Sequence, residues 1–401
     1  MEPTRKELIL AGLMFVLLPL LGEAGLRISG ARFEPQLYEP NRERGWRLRA
    51  GASGVVATEN RQTVRINSRG FRDRERNYEK RAGTFRIAVL GNSWTEALQV
   101  PLERTYPAVL EEELQKRCGN GQRIEVLNFG VAGYSTAQEL LVLQQEVWKY
   151  QPDLVVLAFY PARDIANNVR ELNNAATPEQ SPYFVYRGGE LKEDTTFREL
   201  EALEPRQIGL QKLRYSVNDR VELLQAVNAL QRSVRLRLAT SAVKERAEKF
   251  GVENLEYAIY APPASAELQA GWQVTEGLLV MMRDEVKEHG AKFRVVVLAS
   301  RPQVLPGPAK KEELRRQLGV EDFSYADRRI QELGARADIP VTLLAATLGP
   351  YAEAHRVYLN GFNDHNWGRG HWNETGHRLA AETIATDLCG EGALDAKAGK
   401  Q

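Results

Sequence analysis

The sequence is short of three things. Cysteine occurs twice in 401 residues, at Cys118 and Cys389. Two thiols cannot build a zinc ribbon or a disulfide-dense miniature fold. Histidine occurs five times, and the His/Asp cluster at 364–377 lacks a strong ligand spacing, so no metal or other cofactor is expected. An excess of one charge is also missing: 54 Lys+Arg against 53 Asp+Glu leave a formal net charge of +1. Binding through phosphate contacts needs clustered excess cations, so nucleic acid is not an expected partner. No internal repeat or low-complexity tract is visible. What remains is an ordinary globular balance, 43% apolar and 27% charged, which excludes a wholly disordered or collagen-like chain.

One long hydrophobic run stands at the N-terminus. Arg5 and Lys6 precede Leu8–Leu21 (LILAGLMFVLLPLL), which is uncharged. Alone it spans about 21 Å as a helix; extended to Ile28 it spans about 31 Å, enough for the hydrocarbon core. Glu23 and Arg27 would then sit near the far headgroups, Arg27 by snorkelling. The run also has the length of a cleaved signal peptide. No convincing A-x-A site follows, which favours an uncleaved signal anchor over 1–29. Either reading exports the remainder of the chain.

Residues 30–84 form a polar, Arg-rich extension with short strands expected near Gly54–Thr58 and Thr63–Ile66. Beyond it, strand-like runs alternate with helical patterns: Phe85–Leu90, Ile124–Asn128, Leu154–Tyr160, Phe293–Leu298 and Ile339–Leu344. Short, continuous, β-branched runs suit strands covered on both faces. Thr105 opens a helix to Cys118, and Ser135 with Gln138 forms a capping box for another. The alternation predicts an α/β fold with a doubly wound, parallel five-stranded sheet and ligands at the carboxyl ends of the strands. The domain covers 85–390, with an insertion at about 165–290 and a tail at 391–401. Within the insertion, Pro182–Leu191 reads as a hairpin around Gly188-Gly189. Leu210, Leu213, Val217, Val221, Leu224, Val227, Leu230, Val234 and Leu238 follow helical spacing. Residues 206–249 carry ten Lys/Arg against four Asp/Glu. The expected arrangement is an apolar face packed on the domain and a solvated basic face; a membrane-surface or partner-binding helix is the other reading.

Three segments carry chemistry. The first strand runs into Gly91-Asn92-Ser93, where a Ser past a strand end is placed as a nucleophile and needs a base. The second runs into Asn128-Phe129-Gly130-Val131-Ala132-Gly133-Tyr134-Ser135, whose glycines can aim backbone N–H groups at an oxyanion. The last, Gly370-His371-Trp372-Asn373-Glu374-Thr375-Gly376-His377, supplies an imidazole at His371; His377 reads as structural. In this order they resemble the SGNH (GDSL-type) hydrolase superfamily over about 85–165 and 290–390, and its membrane-anchored, envelope-facing branch in particular.

The resemblance implies a flavodoxin-like sheet with a Ser93–His371 pair and oxyanion donors at Ser93 and Gly133. It also implies ester chemistry: an esterase, or an O-acyltransferase if a sugar hydroxyl replaces water. Acylated, above all acetylated, envelope carbohydrate is the implied substrate, with a membrane-bound acyltransferase as an implied partner. Such a domain would stand on the periplasmic or extracellular side. A weakly active component of polysaccharide modification or assembly, and a lipase or thioesterase, are the alternatives. Departures fall on supporting residues. Asn92 stands where the family has Asp. Pro161-Ala162-Arg163-Asp164 replaces G-x-N-D, so Arg163 either donates to the oxyanion or fills the pocket. Gly368 stands where an Asp usually orients the His. Asp364 is the nearest upstream carboxylate; a backbone carbonyl could serve instead, leaving a dyad. Trp94, Trp367 and Trp372 flank the segments, as core residues or as platforms for sugar rings.

The cysteines carry a further expectation. In strand order 2-1-3-4-5, the helices ending at Cys118 and Cys389 are neighbours with their carboxyl ends together. Export permits oxidation, and a disulfide closing so long a loop would contribute roughly 5 kcal/mol at most.

Overall fold

A computed structural model of the chain describes residues 4–31, 33–173, 177–231, 234, 255–364 and 366–394. Expectations on Leu238, on residues 232–233 and 235–249 of the basic stretch and on the tail beyond 394 lie outside the described residues.

Helix α1 (Arg5–Ser29) opens the chain with no buried residue, Thr4 and Glu7 forming its capping box. Two antiparallel hairpins follow: β1 (Tyr38–Asn41) with β2 (Gly45–Leu48), then β3 (Ser53–Val56) with β4 (Gln62–Arg65). The central strands are β5 (Thr84–Gly91), β6 (Arg123–Asn128), β7 (Leu154–Phe159), and, after the insertion, β10 (Lys292–Val297) and β11 (Val341–Leu343). Their order across the sheet is β6-β5-β7-β10-β11, all parallel. This is the 2-1-3-4-5 order of a flavodoxin-like sheet. β5 and β7 are buried at every position, which is why their sequences run apolar instead of alternating.

The connections are helical. Ser93–Glu96 forms α2, a single turn, and Tyr106–Cys118 forms α3 with Pro107 in its first turn. Thr136–Gln145 forms α4, opened by the Ser135/Gln138 capping box; Pro161–Asn167 forms α5. The insertion holds the hairpin β8 (Tyr183–Arg187) and β9 (Glu190–Asp194), α6 (Pro205–Asn218), and helical turns over 222–231. Then come α7 (Ala266–Glu288), α8 (Pro308–Leu318), α9 (Tyr325–Ala337), α10 (Ala345–His355) and α11 (Glu374–Gly390). Right-handed crossovers put α3 on one face of the sheet and α4 and α7 on the other. α11 returns to pack along α3, and Cys118 and Cys389 form a disulfide at their ends, Cα atoms 5.7 Å apart, within the usual window.

Two parts of the chain depart from their sequence patterns. The Arg-rich segment before the first central strand is not a polar appendage. Leu37, Leu48, Val56, Val64, Ile66 and Phe71 are buried in the same core as the sheet, each such side chain contributing about 1.5–3 kcal/mol on burial. Its Arg72 is almost wholly buried and donates to the Glu96 carbonyl at 2.8 Å, the Ala97 carbonyl and the Val100 carbonyl at 2.5 Å. Burial lowers its guanidinium to about 10. The segment thereby clasps the turn that carries Ser93. Conversely, the apolar stripe of α6 is not packed on the domain. Leu213 is 63% exposed, with Leu210 and Val217 also exposed. The opposite side of α6 makes the contacts, Tyr215 lying under the Arg49 guanidinium.

Candidate active site

β5 ends at Gly91, and the chain turns at once into α2. A Cβ on Gly91 would come 2.1 Å from Thr95 Oγ1, so this turn needs glycine. The Asn92 side chain caps α2 by accepting from Trp94 N at 3.2 Å, while its amide donates to Asp164 Oδ1 at 3.0 Å. Ser93 follows at the carboxyl edge of the sheet, partly exposed. Across from it, His371 Nε2 lies 2.8 Å from Ser93 Oγ although the residues are 278 apart in sequence. The imidazole rests beside the Trp94 ring, centroids 4.9 Å apart.

The acid on His371 is one that sequence reasoning missed. Glu59, in the turn between β3 and β4, takes His371 Nδ1 at 2.8 Å through Oε1 and accepts the His371 backbone N–H at 2.8 Å through Oε2. Burial raises the Glu59 carboxyl, but the hydrogen bond and charge of His371 outweigh it and hold the group below its ordinary value. Gln99 Nε2 also lies 3.2 Å from Nδ1; with the carboxylate closer, Nδ1–H donates to Glu59 and Nε2 faces Ser93 as acceptor. Asn60 Nδ2 donates to the Gln99 carbonyl at 2.8 Å and Asn366 Nδ2 to the Glu59 carbonyl at 3.2 Å, fixing the turn. Glu59 itself has φ +65°, a conformation costly for a residue with a Cβ. Gly370 complements it: φ is +67°, and a Cβ there would lie 2.3 Å from Glu59 Oε2.

Asp364 does not hold this place. Its Oδ1 accepts from Trp367 Nε1 at 3.3 Å in an exposed turn. Gly368, the position where the family carries its acid, has φ +74° and its Cβ site lies 2.9 Å from the Tyr358 ring. No aspartate fits there, and the carboxylate arrives from the N-terminal hairpin instead. Nothing local marks Glu59, since the contact spans 312 residues; its one signal is a carboxylate between two expected strands.

The second segment forms a braced turn. Gly130 N donates to Asn128 Oδ1 at 2.8 Å, Val131 N to the Gly91 carbonyl at 3.1 Å, and Ala132 N to Glu96 Oε2. Trp46 Nε1 donates to the Ala132 carbonyl at 3.1 Å, and its ring lies 3.2 Å from a Cβ position on Gly133, where φ is +80°. Among the described residues, neither the Ser93 N–H nor the Gly133 N–H has a protein acceptor. Glu96 is fully buried, accepts from Tyr38 Oη at 2.7 Å, and is pushed by burial up to about 7. Arg163 sits in the first turn of α5 and donates from Nε to Glu256 Oε1 at 2.9 Å.

Beneath the Ser93 turn lies a buried acid pair. Asp164 accepts from Tyr160 N at 2.7 Å and from Asn92, and burial pushes it up to about 7. Glu139 is raised well above its ordinary value by burial and by Asp164, and among the described residues neither of its carboxyl oxygens has a hydrogen-bond partner. Asn92 therefore supplies a donor where an aspartate would add a third acid. His377 accepts from Tyr106 N at 3.3 Å, and burial lowers it to about 3; it is a neutral structural group at the start of α3. Trp94 and Trp372 are core residues, whereas Trp367 is 42% exposed and stacks on Tyr358.

The structure thus brings a strand-end serine, an imidazole and a carboxylate into one hydrogen-bonded chain on a flavodoxin-like sheet. The resemblance to the SGNH (GDSL-type) superfamily thus extends from the three segments to the sheet order and the Ser–His contact. No family model matches the chain. Among curated proteins, an arylesterase of Vibrio mimicus is 27% identical over 95 residues, which are 22% of this chain and 46% of the arylesterase, so the match spans less than half of that protein. Solved structures similar to this chain include an acetyl xylan esterase at 12% identity (76% of this chain, all of that one, TM-score 0.38). A catalytic mutant of an acetylxylan esterase from Geobacillus stearothermophilus is similar at 11% identity (76% of this chain, 94% of that one, TM-score 0.39). So is a protein from Desulfitobacterium hafniense described as lipolytic and of the G-D-S-L family, at 12% identity (75% of this chain, 97% of that one, TM-score 0.31).

Proposed function

We propose that this protein is a membrane-anchored serine esterase or O-acyltransferase of the SGNH type, acting on acetyl esters of envelope carbohydrate. The observation that carries the reading is the Glu59–His371–Ser93 relay, with 2.8 Å at each step. Ser93 Oγ attacks the ester carbonyl while its proton passes to His371 Nε2. Glu59 holds Nδ1–H and stabilises the imidazolium. The carbonyl oxygen, now an anion, accepts from the Ser93 and Gly133 N–H groups, a contribution of roughly 3–4 kcal/mol per donor to the barrier. Collapse breaks the ester bond, and His371 returns the proton to the departing sugar oxygen. Water then attacks the acetyl-Ser93 intermediate and releases acetate; a second sugar hydroxyl in its place completes a transfer. Arg163, at the mouth of this edge, is the third donor in the proposal when substrate draws it from Glu256.

Glu59 on His371 Nδ1 favours an active enzyme over a weakly active component, which remains the reading if Arg163 does not replace the Asn donor of the third block. The exposed Trp367 beside the His371 loop offers a face for a sugar ring. The uncharged stretch of α1 is the anchor; an oxidised Cys118–Cys389 pair fits a domain held outside the cytoplasm. The test is p-nitrophenyl acetate and acetylated xylo-oligosaccharide turnover by the full chain in detergent, with intact mass after rapid quenching. Wild type should gain the mass of one acetyl group and Ser93→Ala should not, with turnover falling at least ~10³-fold. Equal turnover by Ser93→Ala would refute the reading. A strong preference for long acyl chains would move it to a lipase or thioesterase.

A further inference from the structure

Among the described residues, the insertion carries an exposed apolar surface. On α6, Leu210, Leu213 and Val217 are exposed on one stripe, at spacings of three and four. Leu224, Val227 and Leu230, on the turns over 222–231, continue it, with Val234 exposed beyond; Leu230 is 67% exposed. Seven large aliphatic side chains facing outward on two successive amphipathic helices exceed what isolated surface leucines explain. Tyr215 and Asn218, on the other side of α6, contact or lie buried against the domain.

What covers this surface is indicated by where it attaches. The two helices meet at residues 219–221, and this junction is pinned to α1 where its uncharged stretch ends. Glu23 accepts from Leu223 N at 2.8 Å and Glu222 N at 3.2 Å, capping the second helix. Arg27, paired with Glu23 at 2.6 Å, donates to the Arg220 carbonyl at 2.7 Å. The last turns of α1 are those that emerge from a bilayer if Leu8–Leu21 lies inside it, so the stripe is held at headgroup level. Charge agrees: Arg206, Lys212, Arg214 and Arg220 are exposed around the stripe, while Asp219 is taken up by Arg49 at 2.6 Å. A basic amphipathic helix with an exposed apolar stripe is the form that lies in a membrane interface, and cations near anionic headgroups add to the attraction.

We propose that α6 and the helical turns over 222–231 lie in the headgroup region of the same bilayer that α1 crosses, their leucines and valines in its outer acyl layer and their cations on anionic phospholipid. The proposal rests on the anchor reading of α1. It makes the insertion a second attachment that fixes the height and tilt of the domain, and so of Ser93, over the membrane.

The test uses the full chain in phosphatidylcholine–phosphatidylglycerol vesicles. Cys118 and Cys389 are bonded to each other, so one cysteine added by substitution is the sole free thiol for a polarity-sensitive fluorophore. Leu213→Cys and Leu230→Cys report the stripe, Leu17→Cys the anchor, and Arg187→Cys the water-exposed hairpin. The stripe labels should shift to shorter wavelength and lose about half their emission to lipids spin-labelled high on the acyl chain, as expected about 5–10 Å into the interface. Leu17 should respond most to mid-chain labels, and Arg187 to neither. If Leu17 is quenched while 213 and 230 behave like 187, the proposal fails and the anchor stands. If none is quenched, the anchor reading fails and the proposal with it. Stripe labels shielded without lipid quenching, increasingly so at higher protein-to-lipid ratio, would give the surface to a second copy and overturn it.

Discussion

The two partners of the His371 ring are held in opposite ways. On the Nε2 side, Ser93 stands at the end of a strand buried along its whole length, in a turn so close that Gly91 has no room for a Cβ. On the Nδ1 side, Glu59 rides the tip of a two-stranded hairpin of four-residue strands, held by Asn60, Asn366 and the His371 backbone. Ser93 is part of the frame; Glu59 is brought to it. Positioning by a sheet costs the site nothing further, whereas positioning by a hairpin depends on a few side-chain bonds and on the glycine opposite. A substitution in the hairpin should therefore harm catalysis while sparing the fold, and one under Ser93 should do the reverse.

The sharpest break is Glu59→Gln. Losing the acceptor for Nδ1–H should lower kcat by ~10³–10⁴-fold with an unchanged circular dichroism spectrum; a loss below tenfold would return the site to a Ser–His dyad. Next is Gly370→Ala, which crowds Glu59 Oε2 and should cost about 10²-fold in kcat, read by steady-state kinetics with KM little changed. On the sheet side, Glu96 makes stability depend on pH. Its folded value of about 7 lies above the ordinary 4.5, so its contribution is complete below pH 4.5 and is lost as pH rises to about 7. That is on the order of 3 kcal/mol over the window, and Glu96→Gln should flatten this fall in Tm. Glu59, held low, runs the other way: its contribution is present above the ordinary 4.5 and lost as pH falls through its folded value. Asn92→Asp, which restores the family residue, should lose about 1–3 kcal/mol in urea unfolding, because it replaces a donor to Asp164 with a third buried acid. The smallest effect belongs to Asp364→Asn, within about twofold of wild-type kcat, since among the described residues its carboxylate accepts only from Trp367.

What could be read from the chain was what local pattern determines. Continuous apolar runs gave strands, the resemblance implied their flavodoxin-like order, and that order brought Cys118 to Cys389. Ser93, Gly133 and His371 each sit at a strand or helix end with its own motif. Glu59 has none; it is one acid among 53 Asp+Glu, and only the folded hairpin puts it against a residue 312 positions away. Asp364 was favoured by nearness in sequence, which a turn built on Gly361, Gly368 and Gly370 does not respect. The stripe on α6 shows a different limit. Spacing of three and four reveals that a helix has an apolar side, but not whether protein, lipid or another copy covers it.

The Cys118–Cys389 bond changes what a broken backbone would mean for this molecule. Ser93 and Glu59 lie before the ring it closes and His371 lies within it, so any single cut from 119 to 370 divides the relay between two polypeptides. Those polypeptides stay one molecule as long as the sulfurs remain joined. A protease-nicked form should run as a single species without reductant and as two with it, and it should keep the ester turnover proposed above until the bond is reduced.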